Sequence, residues 1–190
     1  MSIIDIMKKR RSYYEIDRDI PVSKEKILET IKDMVEYVPD AFNLQSQRVV
    51  VAMNEYQDKL WDTIYDVFGG KVKREKIDSF KDGYGTILFY YDGKSIKEAQ
   101  ESFPRYADNF PVWANQSNGM LQHSIWLALR DLDVGANLQH YNPAIDDAVR
   151  ELFDIPEEWV LIAQMPFGNI LEEPEPKDMM DVSERVKVFK

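Results

Sequence analysis

The chain has 190 residues, enough for one domain that buries about 70% of its unfolded surface without staples. With 44% hydrophobic and 31% charged residues it has the composition of an ordinary globular protein, while 24 Lys+Arg against 34 Asp+Glu give a net charge of −10 that repels nucleic-acid phosphates and anionic lipid. The absence of cysteine excludes disulfides, thiolate metal ligands and cysteine nucleophiles, so the expected partners are small molecules, with no nucleic acid and no membrane.

In chain order, Ile3 to Met7 reads as a short helix followed by Lys8-Lys9-Arg10-Arg11-Ser12. Cations suit the negative end of a helix dipole, and the same run is equally an anion cradle, since the planar Arg fork matches phosphate and Ser adds a donor. The opening MSIIDIMKKRR is too short and too charged for a secretory signal, which leaves a cytoplasmic protein as the expectation. Ser23 predicts an N-cap for a second helix, whose Ile27, Ile31, Met34, Val35 and Val38 keep helical spacing up to Pro39. The loop from Pro39 to Gln47 is rich in amide side chains, which either satisfy turn backbone or face a polar heterocycle. Arg48 to Met53 is a β-branched strand candidate, and Lys59 to Phe68 a helix stopped by Gly69-Gly70.

Residues 71–83 are charged and predict a helix with connectors, and Tyr84 to Asp92 predicts a central strand. Lys94 to Phe110 is polar with scattered aromatics and is expected to run over the surface or over a ligand site. The segment 115–132 predicts the core helix, because Leu121, Ile125, Ala128 and Leu132 keep the helical period while Trp126, Leu127 and Leu129 fill other faces. Such a helix is buried in a core or against another chain. It exits toward Gln139-His140-Tyr141-Asn142, the most unusual polar cluster, and a turn at Asn142-Pro143. A helix over 144–153, a third core strand over 160–168 and a proline-containing tail with a possible edge strand at Val186 to Phe189 complete the chain. Helices around a few strands without strict alternation predict one α+β domain spanning 1–190.

No dinucleotide glycine fingerprint, Walker loop, GxSxG or HExxH is present. His123 and His140 lack a third ligand, so no metal site is expected, and no side-chain catalytic constellation stands out. Chemistry is then expected to reside in a cofactor that the protein binds and orients. An Arg-Arg-Ser cradle, an amide-rich loop and backbone at Gln139-His140 suit a phosphorylated aromatic ligand: FMN fits, as do other nucleotides.

Arg10-Arg11-Ser12, the run Pro39 to Gln45, Gly135 through Pro143 and Pro166-Phe167-Gly168, in this order, resemble the nitroreductase family. The spacing of Trp113, Gly119-Met120 and Trp126 and the run Gln139 to Pro143 resemble its fatty-acid-repression-type branch. The resemblance implies a mostly antiparallel central sheet flanked by helices, with the long central helix at a homodimer interface and FMN sites built from both chains. It implies that Arg10, Arg11 and Ser12 contact the FMN phosphate and ribityl chain, that Asn43 and Gln45 approach from the partner chain, and that Leu138, Gln139 and His140 offer backbone to the reactive ring nitrogen. Arg185, with Lys177, would close on the phosphate. The activity implied is ping-pong electron transfer from NADH or NADPH to nitroaromatics, quinones or similar flat acceptors. Tyr14 departs from the pattern, standing where many members carry Lys or Arg two places after Ser. This departure keeps open a non-catalytic flavin-binding or flavin-sensing protein.

Overall fold

The computed structural model describes residues 2–190. A five-stranded antiparallel sheet lies between two helical layers. Its strands are β1 (Ile16–Asp17), β2 (Gln47–Met53), β3 (Gly85–Asp92), β4 (Val134–Ala136) and β5 (Trp159–Ile170), in the order β1-β5-β3-β2 with β4 also paired to β5. The apolar runs predicted as strands form β2, β3 and β5. β3 is central because its residues from Gly85 to Tyr90 are buried on both faces.

Successive β3 side chains point to opposite faces, and each face has its own core. Ile87 and Phe89 join Ile27 and Ile31 of α2 (Lys24–Tyr37) and Leu121, Ile125 and Leu129 of α6 (Phe110–Asp131). On the other face, Leu88 and Tyr90 meet Leu60, Trp61 and Ile64 of α3 (Glu55–Phe68), Ile77 and Phe80 of α4 (Arg74–Lys81), and Val149 of α7 (Asp146–Phe153). Phe89 is fully buried, so Phe89→Ala is expected to cost about 3–5 kcal/mol by chemical denaturation, from lost transfer energy plus the cavity left behind. A loss under about 1 kcal/mol would contradict this core assignment.

Local signals fix the helix ends. Ser2 and Asp5 form a capping box at the start of α1 (Ile3–Lys9), Ser23 accepts from the Lys26 N–H at the start of α2, and Gly69 (φ 54°) takes the left-handed turn that stops α3.

Three segments differ from expectation. The polar stretch after β3 forms α5 (Gly93–Ser102): the Asp92 carboxylate caps the Lys94 and Ser95 N–H groups, and Ile96 and Ala99 are buried on one face. α6 starts at Phe110 rather than near Asn115, with Pro111 in the first turn, where its missing N–H costs no hydrogen bond. Within one protomer α6 has an open side, on which Val112, Gln116, Gly119, Met120 and His123 are exposed. Val186 to Phe189 form no strand: a short 3₁₀ turn at Val182–Glu184 precedes them and their side chains are exposed.

Candidate active site

α1 ends at Arg10, whose N–H still bonds to the Ile6 carbonyl at 2.8 Å while the backbone turns extended. The Arg10 guanidinium carbon lies 4.3 Å from the centre of the Trp126 ring of α6, a cation–π contact that holds the side chain. Burial, and then the neighbouring Arg11 charge, lower the Arg10 pKa from its ordinary value. Arg11 Nη2 donates to the Glu175 carbonyl at 2.5 Å, which leaves Arg11 Nε buried with no partner. Lys8, Arg10, Arg11 and Lys177, with Met7 and Met179, line a cavity of about 430 Å³. Four cations and an unpaired buried donor thus gather at one place on a chain of net charge −10.

The tail reaches this cavity through specific contacts. Tyr13 is buried, and its hydroxyl lies 3.0 Å from the Lys9 carbonyl and 3.1 Å from Glu173 Oε2. Together with the Arg11–Glu175 bond, this brings Lys177 into the lining. Arg185 lies beyond, exposed at the end of the 3₁₀ turn and outside that lining.

The chain leaving α6 passes directly beside the cradle. Ser12 bridges Ala136 in parallel, and the Tyr13 N–H donates to the Ala136 carbonyl at 3.0 Å. Three residues later Gln139 and Gln164 of β5 exchange both backbone hydrogen bonds, at 2.7 and 2.9 Å. Leu138 and Gln139 are half-buried and His140 is exposed. The structure therefore brings Arg10, Arg11, Ser12, Lys177 and the segment Leu138-Gln139-His140 to one region. Tyr14, 50% exposed, instead lines a separate cavity with the acidic Glu15, Asp17, Asp19 and Asp82.

Asn43 and Gln45 stand elsewhere. The Asp40 carboxylate holds their loop by accepting from the Ala41 N–H (2.8 Å), the Ser46 N–H (2.7 Å) and the Ser46 hydroxyl (2.6 Å). Inside this clamp Phe42, Asn43 and Gln45 all have positive φ (55°, 53° and 50°), a sparsely populated conformation costing on the order of 1–3 kcal/mol each for non-glycine residues. Both amides are exposed and line a cavity with Glu36 and Arg48. Phe42 stacks on Trp113 (5.7 Å between centroids, 20° between planes) beside Phe103, Tyr106 and Phe110. Phe42, Trp113, Gln116 and Met120 share a neighbouring, mostly apolar cavity of about 410 Å³.

The aromatics of the 94–110 segment, expected over the surface or a ligand site, gather around Phe42, a grouping not legible beforehand; nor were the Trp126 contact with Arg10 and the buried amides Asn137 and Gln164. Gln164 carried a signal: it is the one polar side chain within the apolar run Val160 to Phe167.

The chain as a whole is similar to known proteins. The model for the Nitroreductase family matches residues 7–169. Nitroreductase FRM2 of Saccharomyces cerevisiae is 29% identical over 181 residues, covering 94% of this chain and 93% of that protein. Nitroreductase CinD from Lactococcus lactis, solved with chloramphenicol, superimposes with a TM-score of 0.95 at 42% identity over 100% of both chains. CinD solved with 4-nitrophenol gives 0.92 at 41% identity, again over 100% of both chains.

Proposed function

Since the chain belongs to the nitroreductase family of oxidoreductases, we propose that it is an FMN-dependent enzyme that passes electrons from NADH or NADPH to nitroaromatics, quinones or similar flat acceptors. The observation that carries this reading is the four-cation cavity with its unpaired Arg11 Nε, set beside the Gln139–His140 backbone. These residues fit FMN: Arg10, Arg11 and Lys177 would take the phosphate, Ser12 the phosphate or ribityl chain, and the segment from Leu138 to His140 the ring edge. When bound, FMN supplies a ring that accepts hydride from the nicotinamide and gives electrons to the acceptor. The chain's own part is to bind, orient and exclude water, with N–H donors aimed at the polar ring edge.

We assign the working form to a homodimer. Within one protomer Asn43 and Gln45 line a cavity different from that of Arg10, and α6 leaves an open side with Val112 (52% exposed) and Met120 (45% exposed) on it. A partner packed along α6 would cover that side and bring its own Asn43 and Gln45 toward the ring. The Phe42–Trp113 cavity offers flat apolar walls for an aromatic acceptor. CinD, solved with chloramphenicol and with 4-nitrophenol, supports that acceptor class.

Donor and acceptor occupying one site in turn give ping-pong kinetics. Initial rates with NADH and 4-nitrophenol at several fixed acceptor concentrations are expected to give parallel double-reciprocal lines; intersecting lines would contradict the shared site. A second reading, a flavin-binding sensor without turnover, is favoured by Tyr14, which brings no cation and lines a cavity with four carboxylates and one cation, Arg18. A flavin that binds tightly yet is not reduced by either nicotinamide would support the sensor.

A further inference from the structure

Two wholly buried amides, Asn137 and Gln164, lie between the cationic cradle and the Gln139–His140 loop, and no step of the chemistry uses them. They flank a gap in the sheet. β4 pairs with β5 as Val134 with Asn169, Gly135 with Gly168 and Ala136 with Phe167, and the same register continues to the bridge between Gln139 and Gln164. Between them Asn137 stands opposite Pro166: the Asn137 N–H donates to the Pro166 carbonyl at 3.2 Å, but proline has no N–H to return. One ladder bond is absent there, and side chains add bonds of their own on either side of it. Asn137 Nδ2 donates to the Tyr13 carbonyl at 2.8 Å, and Asn137 Oδ1 accepts from Gln139 Nε2 at 2.7 Å. Gln164 Oε1 accepts from the Tyr141 N–H at 2.8 Å, and Gln164 Nε2 donates to Asn142 Oδ1 at 3.3 Å.

The result is a relay, Tyr13–Asn137–Gln139–Gln164–Tyr141, linked by side chains except for the main-chain pair Gln139–Gln164, from the peptide after Tyr13 to the far side of His140. It also sets a direction. Gln139 turns both peptide groups toward β5, so by strand alternation Leu138 and His140 turn theirs toward the opposite side. We infer that Asn137 and Gln164 are positioning residues for FMN: they hold the phosphate cradle and the ring-facing loop at one fixed separation, so that a ligand gripping both gains from a preformed spacing. This rests on the FMN reading above. A ligand tied at two points binds with an effective concentration set by how rigidly the points are held. Loosening the relay therefore weakens FMN, which engages both ends, more than riboflavin, which lacks the phosphate.

The test is titration of the full-length apoprotein with FMN and with riboflavin, followed by flavin fluorescence, for wild type, Asn137→Ser, Gln164→Met and Gln139→Met. The relay variants are expected to raise the Kd for FMN about tenfold, equivalent to 1.4 kcal/mol, and that for riboflavin by less than about threefold. Val149→Ala, a core change in α7 outside the relay, is the control for general destabilisation and should leave the FMN-to-riboflavin ratio unchanged. Should the two buried-amide variants fail to fold, Gln139→Met carries the test, because its side chain is half-buried and its main-chain pairing with β5 remains. Parallel weakening of both ligands, no change in either, or an equal change of ratio in Val149→Ala overturns the relay. Failure of wild type to take up FMN at all overturns the FMN reading itself, a result distinct from any of these.

Discussion

Gly119→Arg is expected to convert a dimer into a monomer by light scattering and to weaken FMN binding more than about a hundredfold, a loss of 2.8 kcal/mol or more. Gly119 lies on the open side of α6, and a Cβ built there meets nothing within 4 Å in its own protomer. The protomer thus tolerates a side chain at this position, and Arg is a better helix former than Gly. Any loss then reports on what packs against α6 from outside. A large charged side chain in the middle of an obligate interface, which commonly buries on the order of 2,000 Å² or more, cannot be accommodated. If Asn43 and Gln45 come from the partner, the cofactor leaves with it. A variant that stays dimeric, or a monomer that binds FMN as well as wild type, would contradict the two-chain site.

The double substitution Arg10→Ala/Arg11→Ala is expected to weaken FMN more than a hundredfold while changing riboflavin affinity only slightly. Hydrogen bonds to charged groups contribute roughly 1.5–3 kcal/mol each, and every 1.4 kcal/mol is a factor of ten in affinity. Arg11 has a buried Nε without a partner, and Arg10 is held by Trp126, so both are set for an anion before it arrives. Arg185→Ala and Lys177→Ala separate two routes to the phosphate. Lys177 lines the cavity within one chain, so Lys177→Ala is expected to cost about tenfold. An effect of Arg185→Ala requires the tail to reach a site other than its own protomer's. Lys187→Ala is the control for total charge. Equal losses in all of these variants, or equal losses for FMN and riboflavin, would overturn the phosphate assignment.

Much of the scaffold was legible because its signals are local. Ser23, Gly69 and the period-4 apolar residues of α2 announce helices, and the β-branched or apolar runs of β2, β3 and β5 announce strands. What stayed hidden depends on distant partners. β1 has two residues and exists only because Ile16 and Asp17 pair with Ile170 and Asn169. α5 lay hidden because its cap, Asp92, is also the last residue of a strand.

The candidate site divides in the same way. Arg10-Arg11-Ser12 and Gln139-His140 could be singled out as runs of residue types. The tail's route, fixed by Tyr13–Glu173 and Arg11–Glu175, is a property of the fold, so the relative placement of Lys177 and Arg185 could not be read beforehand. The partners of Asn137 and Gln164 lie at Tyr13, Gln139 and Tyr141, so their role has meaning only once β4 and β5 are known to pair.

The central claim is that this chain holds FMN where a nicotinamide can reduce it. Anaerobic titration of the purified, FMN-loaded protein with NADH and with NADPH tests it most directly. Stoichiometric bleaching of the flavin absorption by at least one donor, reversed on adding 4-nitrophenol or a quinone, is the predicted result. A protein that takes up no FMN, or one whose bound flavin keeps its oxidised spectrum with both donors, would contradict it.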